Sequence, residues 1–300
     1  MLREYGGMRT MQPDGSTKMP TIALLGAGRL ASNLAPALRH AGFRITEIVA
    51  RPKASSVKKA RSLARAVQAC AVSLATATLD ADVLWLAVPD REIRNTAETL
   101  GRRVGPMPRV VLHASGALSS HELEALRVRG VAVASAHPLM TFVAASRPSL
   151  KDVPFAVEGD PPAVRIARQI VRALGGQSVL LSKHKVAYHA WATMTSPLLL
   201  AYLVALEHAA QNAGISPLRA RRMSAPIIHQ TLENYQTLGP AASFSGPFVR
   251  GDAETVRRHL ASLEKNPDLR NVYCALARVA ITSLPVRNRK LLVQLLQIGL

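Results

Sequence analysis

The sequence predicts an α/β fold: a doubly wound, mainly parallel sheet, followed by an all-helical C-terminal domain. Three observations carry this expectation. From Pro20 to Leu181, apolar runs of strand length alternate with segments of helical period. A glycine-rich turn closes the first of these runs. After Ser182 the strand-length runs cease and only helical periods continue.

The elements follow in order. Met1 to Lys18 is polar and aperiodic, lacks the apolar centre of a secretory signal, and reads as a flexible tail with Met8, Met11 or Met19 as alternative starts. Thr21–Leu25 is a short apolar strand ended by Gly26, and Leu30, Leu34 and Leu38 mark the inner face of the next helix. A strand at Ile45–Ala50, a basic helix at Ser55–Val67 and a weaker strand at Ala71–Leu74 come next. Val83–Val88 and Val110–His113 are strongly apolar strands. Ser119 and Glu122 have capping-box spacing at the start of a helix over Ser120–Val128. Val131–Ser135, Pro154–Val157 and Ser178–Leu181 complete the strands, with a helix over Pro162–Leu174 between the last two. Helices are then expected over His184–Ala213, Pro217–Leu238, Asp252–Lys265, Pro267–Leu284 and Arg287–Ile298, punctuated by Gly214, Gly239-Pro240 and Pro285. The predicted domains are therefore a tail over 1–18, a nucleotide-binding domain over 19–182 and a helical substrate and dimerisation domain over 183–300.

A chain of 300 residues, 48% apolar and 19% charged, has globular composition and room for two cores. Its net charge is +19. The basic groups at Lys58-Lys59-Ala60-Arg61, Arg102-Arg103 and Arg219-Ala220-Arg221-Arg222 are short and not interleaved with aromatics, which argues against nucleic acid as a partner. A generally basic composition together with an anionic cofactor accounts for the charge better than a nucleic-acid function does. Cys70 and Cys274 lie far apart, show neither metal-ligand spacing nor a disulfide framework, and fit a reducing cytoplasm. Val186–Leu206 carries no Asp, Glu, Lys or Arg and could span a bilayer by length. It contains Tyr188, His189, Ser196 and a central Pro197, and reads as a buried helix with no membrane role.

Leu25-Gly26-Ala27-Gly28-Arg29-Leu30-Ala31 matches G-x-G-x-x-A, the turn of a Rossmann-type dinucleotide site. Gly26 permits the tight turn, Gly28 the approach of a pyrophosphate, and Ala31 close packing of helix on sheet, while the helix N-terminus offers free N–H groups. An NAD site would place a carboxylate at the end of the second strand. Here Ala50-Arg51-Pro52-Lys53-Ala54-Ser55-Ser56 has none. Arg51, Lys53, Ser55 and Ser56 can donate to a 2′-phosphate, so the expected cofactor is NADP; the alternative is that Arg51 stacks on adenine and the site is indifferent. Val88-Pro89-Asp90 ends the fourth strand, with Val88 and Pro89 expected to close on the cofactor and Asp90 to cap the following helix.

His113-Ala114-Ser115-Gly116 ends the next strand, where Ser115 and the Gly116 amide are expected to face the nicotinamide end, and His113 is either a satisfied core histidine or catalytic. His137-Pro138 ends the strand after that; His137 either meets substrate or cofactor or stabilises its loop. Lys185, Tyr188 and His189 share one helical face, with Ser196 two turns on. His189 is the best general-acid candidate by residue type, with a buried hydrogen-bonded histidine as the alternative. In Ser245-Gly246-Pro247-Phe248-Val249-Arg250-Gly251-Asp252, Asp252 is an N-cap and Arg250 a candidate for a substrate anion.

The G-x-G-x-x-A turn, V-P-D, H-x-S-G, H-P-L, Y-H-A and G-P-x-x-R-G-D together resemble an uncharacterised bacterial family with a Rossmann-like domain and a C-terminal helical domain of unknown function. The resemblance spans nearly the whole chain from Met19. More distantly the chain is similar to the 6-phosphogluconate dehydrogenase-like superfamily, including pyrroline-5-carboxylate reductase, ketopantoate reductase and F420-dependent NADP reductase. That resemblance implies an NADP oxidoreductase, a homodimer through the helical domain, and a small-molecule substrate bound between domains. Two departures matter: relatives often have Ser-Asn where this chain has Ser196-Pro197, and no Asn follows Lys185 a turn later. The expected activity is hydride transfer to or from a small carbonyl, imine or hydroxy compound, with His189, His137 and Lys185 as catalytic candidates. The competing reading is an NADP-binding sensor or assembly protein that does no chemistry.

Overall fold

The structure is a computed structural model that describes residues 19–144, 146–181 and 183–297. The expected tail and Ser182, the predicted domain boundary, lie outside the described residues. By contacts the chain forms two compact units that divide between Thr193 and Met194. The helix carrying Lys185, assigned to the C-terminal domain from sequence, thus packs with the sheet.

The first unit is an eight-stranded sheet of order β3-β2-β1-β4-β5-β6-β7-β8. Its strands are β1 (Ile22–Leu25), β2 (Ile45–Ala50), β3 (Cys70–Ser73), β4 (Val83–Leu86), β5 (Val110–His113), β6 (Ala132–Pro138), β7 (Pro154–Gly159) and β8 (Gln177–Leu180). All neighbours pair in parallel except β6 with β7. Strand order reverses direction at β1 and β4, the point where this architecture opens a crevice at the carboxyl ends of its strands.

Period-two alternation sends successive side chains to opposite faces, and both faces are covered. Ile22, Leu24, Trp85 and Leu112 enter one core, while Ala23, Leu25, Leu84, Leu86 and Val111 enter the other. On the first face lie α1 (Arg29–His40), α2 (Ala54–Val67) and α5 (Pro161–Ala173); on the second lie α3 (Asp90–Gly101) and α4 (Glu124–Arg127). Each fully buried leucine contributes about 2 kcal/mol. Reciprocal bonds pin the strand starts: Asp82 Oδ2 accepts from Thr21 N and Oγ1 at 2.8 and 2.9 Å, and Asp82 N donates to Thr21 Oγ1 at 3.0 Å.

The expected capping box does not form. Ser119 makes no side-chain cap bond, a 3-10 turn over Ser120–Leu123 precedes α4, and Glu122 instead pairs with Arg94 at 2.8 Å. The cap comes from across the sheet: Glu158 on β7 accepts from Ser120 N at 2.8 Å and Ser120 Oγ at 2.9 Å.

After β8, α6 (Lys185–Thr193) completes the first unit. The second unit opens with a π-helical turn over Met194–Leu198 that contains Pro197. It continues with α7 (Leu199–Gln211), α8 (Pro217–Ser243), α9 (Pro247–Arg250), α10 (Ala253–Ser262), α11 (Pro267–Ser283) and α12 (Arg289–Gln297). Gly239 interrupts α8 with φ 77°. Asp252 caps α10 as expected, its Oδ1 accepting from Thr255 N at 3.0 Å. A core of Val256, Leu260, Cys274, Ile281 and Leu292 joins α10, α11 and α12. Lys185–Gln211 is long and apolar enough by length and composition to cross a membrane. Its apolar window is not buried by this chain, which corrects the expectation of a buried helix: Leu198, Leu200 and Val204 are exposed.

Candidate functional site

The carboxyl edge of the sheet carries two polar constructions. The first is made of backbone. Gly26 has φ +113°, a conformation that favours glycine, and a Cβ there would overlap the Ala87 carbonyl oxygen. The turn off β1 therefore packs directly against the chain leaving β4. Gly26 N donates to Val49 O at 2.9 Å, fixing it to β2 as well.

Gly28, the N-cap of α1, differs: a Cβ there would meet nothing within 4 Å. Helix α1 has no side-chain cap and no acidic residue in its first turn, so the amides of Arg29, Leu30 and Ala31 have no capping acceptor. Ala27 and Ala31 are buried, Leu30 is half-buried, and Arg29 is exposed. Open space over uncapped amides is what a pyrophosphate requires. At the end of β2, Arg51 is half-buried, Lys53 and Ser55 are exposed, and Lys53 N-caps α2. Among the described residues no carboxylate pairs with Arg51 or Lys53.

The second construction is made of side chains held by burial. Beyond β4, Val88 is half-buried and Pro89 is the N-cap of α3. Asp90 makes no cap bond, contrary to expectation; its Oδ2 accepts from Ser115 Oγ at 2.7 Å. Pro89 occupies the N-cap position, which places Asp90 one residue inside the helix. Ser115 Oγ in turn accepts from Ala117 N at 3.2 Å and Leu118 N at 2.9 Å, closing the turn after β5.

His113 is fully buried and satisfied at both nitrogens. Ser115 N donates to Nδ1 at 3.2 Å, so Nε2 carries the proton and donates to Ser119 O at 3.1 Å. Burial first, and Lys185 second, push its pKa down to about 4. The core alternative is thus the one the structure supports.

Lys185 is the keystone. Buried at 8% exposure, its Nζ donates to Ser115 O at 2.9 Å and to Ser135 Oγ, and lies 3.6 Å from Glu158 Oε1. Ser135 Oγ also donates to Ser115 O, at 3.1 Å. One ammonium therefore ties together the turn after β5, the middle of β6 and the end of β7. Burial lowers the Lys185 pKa to about 8, against the pull of Glu158 and Asp90.

Above Lys185, α6 turns Tyr188 and His189 toward the end of β6. His137 Nδ1 lies 3.0 Å from Tyr188 Oη, and the His137 ring meets those of Tyr188 and His189 edge-on, with centroids 5.7 and 6.1 Å away. Burial, then His189 and Lys185, hold the His137 pKa down to about 4. Burial alone raises that of Tyr188. Gly116 lies against both rings: a Cβ there would stand 2.6 Å from His189 Cδ2 and 2.9 Å from His137 Nε2.

The structure thus gathers Ser115, Gly116, His137, Lys185 and His189 into one cluster, and Asp90 joins the stretch from Val88 to it. Ser196 and Arg250 belong to the second unit, Ser196 half-buried in the π-helical turn and Arg250 exposed at the end of α9. Sequence reasoning missed Ser135 and Glu158. Their signal was polarity in a strand: Ser135 sits within the run of β6, and Glu158 follows the apolar residues of β7.

Two family models match the chain. Residues 11–138 match a Rossmann-like domain, and residues 153–280 match the Domain of unknown function (DUF2520). The expected pairing of a Rossmann-like domain with a helical domain of unknown function is therefore present. No curated protein matches in sequence. Among solved structures, BF3122 of Bacteroides fragilis, assigned as an NADP oxidoreductase, has a TM-score of 0.67 at 22% identity, over 86% of this chain and 96% of that one. A pyrroline-5-carboxylate reductase from Coxiella burnetii has a TM-score of 0.56 at 16% identity, over 94% and 98%. An imine reductase from Myxococcus stipitatus in complex with NADP+ has a TM-score of 0.59 at 17% identity, over 92% and 100%. At these identities the likeness establishes a shared fold.

Proposed function

We propose that this chain, a Rossmann-like domain joined to DUF2520, is a nicotinamide-nucleotide-dependent oxidoreductase. In this reading it prefers NADP and moves a hydride between it and a small carbonyl, imine or hydroxy compound. The observation that carries the proposal is the open Gly28 position over the uncapped N-terminus of α1, at the strand-order reversal of the sheet. The residues present fit a dinucleotide. Gly26–Ala31 would hold the pyrophosphate, Arg51, Lys53 and Ser55 a 2′-phosphate, and Val88, Pro89 and the Gly116 amide would line the path to the nicotinamide. When bound, the nucleotide supplies or accepts a hydride. His137 and His189 are the groups available to manage the accompanying proton, and Lys185 serves by fixing the turn and strands beneath them. That the fold neighbours include reductases crystallised with NADP+ supports the same reading.

Ser196 and Arg250 are the second unit's candidates for substrate contact. We further propose a homodimer in which a second copy covers the exposed apolar residues of α7 and α8, among them Leu200, Ile227 and Leu238. The proposed compartment is the cytoplasm, where Cys70 and Cys274 stay reduced.

Titration of the full chain with NADPH and with NADH, followed by nicotinamide fluorescence, tests the core of the proposal. The expected result is a blue-shifted, saturable NADPH signal with affinity at least about tenfold above that for NADH, a difference of about 1.4 kcal/mol. Absence of binding by both nucleotides overturns it.

A further inference from the structure

We infer that Tyr188 and His137 form a proton relay. Tyr188 Oη feeds His137 Nδ1, and His137 Nε2 delivers to the heteroatom of the C=O or C=N bond being reduced. The inference rests on the oxidoreductase reading above and names how that reading moves its proton.

The geometry assigns the two ring nitrogens different tasks. Nδ1 is engaged by the Tyr188 hydroxyl at 3.0 Å. Nε2 has no hydrogen-bond partner among the described residues and faces Gly116, where a Cβ would stand 2.9 Å away. When Tyr188 donates to Nδ1, Nε2 carries the ring proton and presents it beside Gly116, the residue proposed to line the path to the nicotinamide.

A ring that accepts on one side while donating on the other must be neutral at the outset. The groups facing His137 are Lys185, Tyr188 and His189 from α6 and Asp90 from α3. The buried Lys185 ammonium and the desolvated setting outweigh Asp90, and burial likewise keeps Tyr188 a phenol.

The step balances. The carbon of C=X gains a hydride from the reduced nicotinamide nucleotide, and the π pair moves to X. X takes the Nε2 proton and Nδ1 takes the Oη proton; once product leaves, Nε2 takes a proton from water and Nδ1 returns its proton to the Tyr188 phenolate, restoring the starting tautomer. Oxidation of an alcohol or amine runs the same path backwards, starting with the proton on Nδ1. Tyr188 is thus the positioning residue that sets the tautomer of His137.

The test combines NMR with kinetics. In the full chain labelled with 15N-histidine, His137 is assigned from its loss in His137→Gln. The expected spectrum at pH 7 shows a neutral ring with Nδ1 bare and hydrogen-bonded and Nε2 protonated. Tyr188→Phe should keep nucleotide affinity, shift His137 toward the other tautomer and, on whichever small ketone or cyclic imine is turned over, lower kcat about 100-fold with KM changed by less than about threefold. A His137 tautomer indifferent to Tyr188→Phe, or an unchanged kcat in that variant, overturns the relay. Nucleotide titration is read separately, so loss of all NADPH binding in the parent chain counts against the function and not against the relay.

Discussion

The two constructions on the carboxyl edge solve the same problem by opposite means. At the β1–α1 turn, side chains are removed and the first amides of α1 are left uncapped beneath open space. At the ends of β5 and β6, His113, Ser115, Ser135 and Lys185 are buried, and the charges and tautomers of the cluster are set by its own members. The first is tolerant of its surroundings and strict about its own atoms. The second is the reverse: each group depends on partners drawn from distant parts of the chain. Lys185 bonds across 70 residues to Ser115 and across 50 to Ser135.

The contrast can be broken by experiment, beginning with the largest effect. Gly26→Val should destabilise the first unit by about 4 kcal/mol, because the new side chain meets the Ala87 carbonyl in a backbone conformation that penalises it. Urea unfolding measures it, and a loss below about 1 kcal/mol would mean that the turn is as forgiving as its neighbours. Lys185→Met should cost about 3 kcal/mol, since it strands Glu158 and the Ser115 carbonyl without their buried cation. It should also raise the pKa of His137, readable by NMR, because a positive neighbour is removed.

Acid sharpens the second construction. The pKa of His113 falls from 6.5 to about 4 on folding, so between those values the unfolded chain binds more protons and stability rises with pH. Acidification from pH 7 to pH 4 should therefore lose up to about 3 kcal/mol through this group, at about 1.4 kcal/mol per unit. His137 is shifted in the same direction and adds to the loss. A His113→Asn chain that loses as much stability over this range as the parent would contradict the assignment. The smallest effect belongs to the first construction: Arg51→Glu should weaken NADPH binding about tenfold, near 1.4 kcal/mol, and leave NADH within about twofold.

What could be read from sequence divides along the same line. The turn is local: strand, G-x-G-x-x-A and amphipathic helix lie within twenty consecutive residues, from Thr21 to His40, and each piece restricts the next. The alternation of strands and helices, the helical second part and the Asp252 cap were equally visible because their causes are local. The roles of Asp90 and Glu122 were misjudged for the converse reason. Both have the spacing of caps, but each finds a stronger partner 25 or 28 residues away, Ser115 and Arg94 respectively. Helical periodicity did bring Lys185, Tyr188 and His189 to one face. It could not show that Lys185 turns inward, because the carbonyl, hydroxyl and carboxylate that make this tolerable arrive from β5, β6 and β7. The apolar run after Val186 misled in the other direction: hydropathy reports that a surface wants cover, not which chain supplies it.

Gly116 sets a boundary on how this protein could diversify. The space that any side chain there would fill belongs to the rings of His137 and His189. An evolving descendant seeking a larger, smaller or more polar ligand therefore cannot sculpt the floor of the cluster one residue at a time. Any first step at this position displaces the histidines before it offers a new contact. Innovation must come from the rim, and the floor stays an inherited constant.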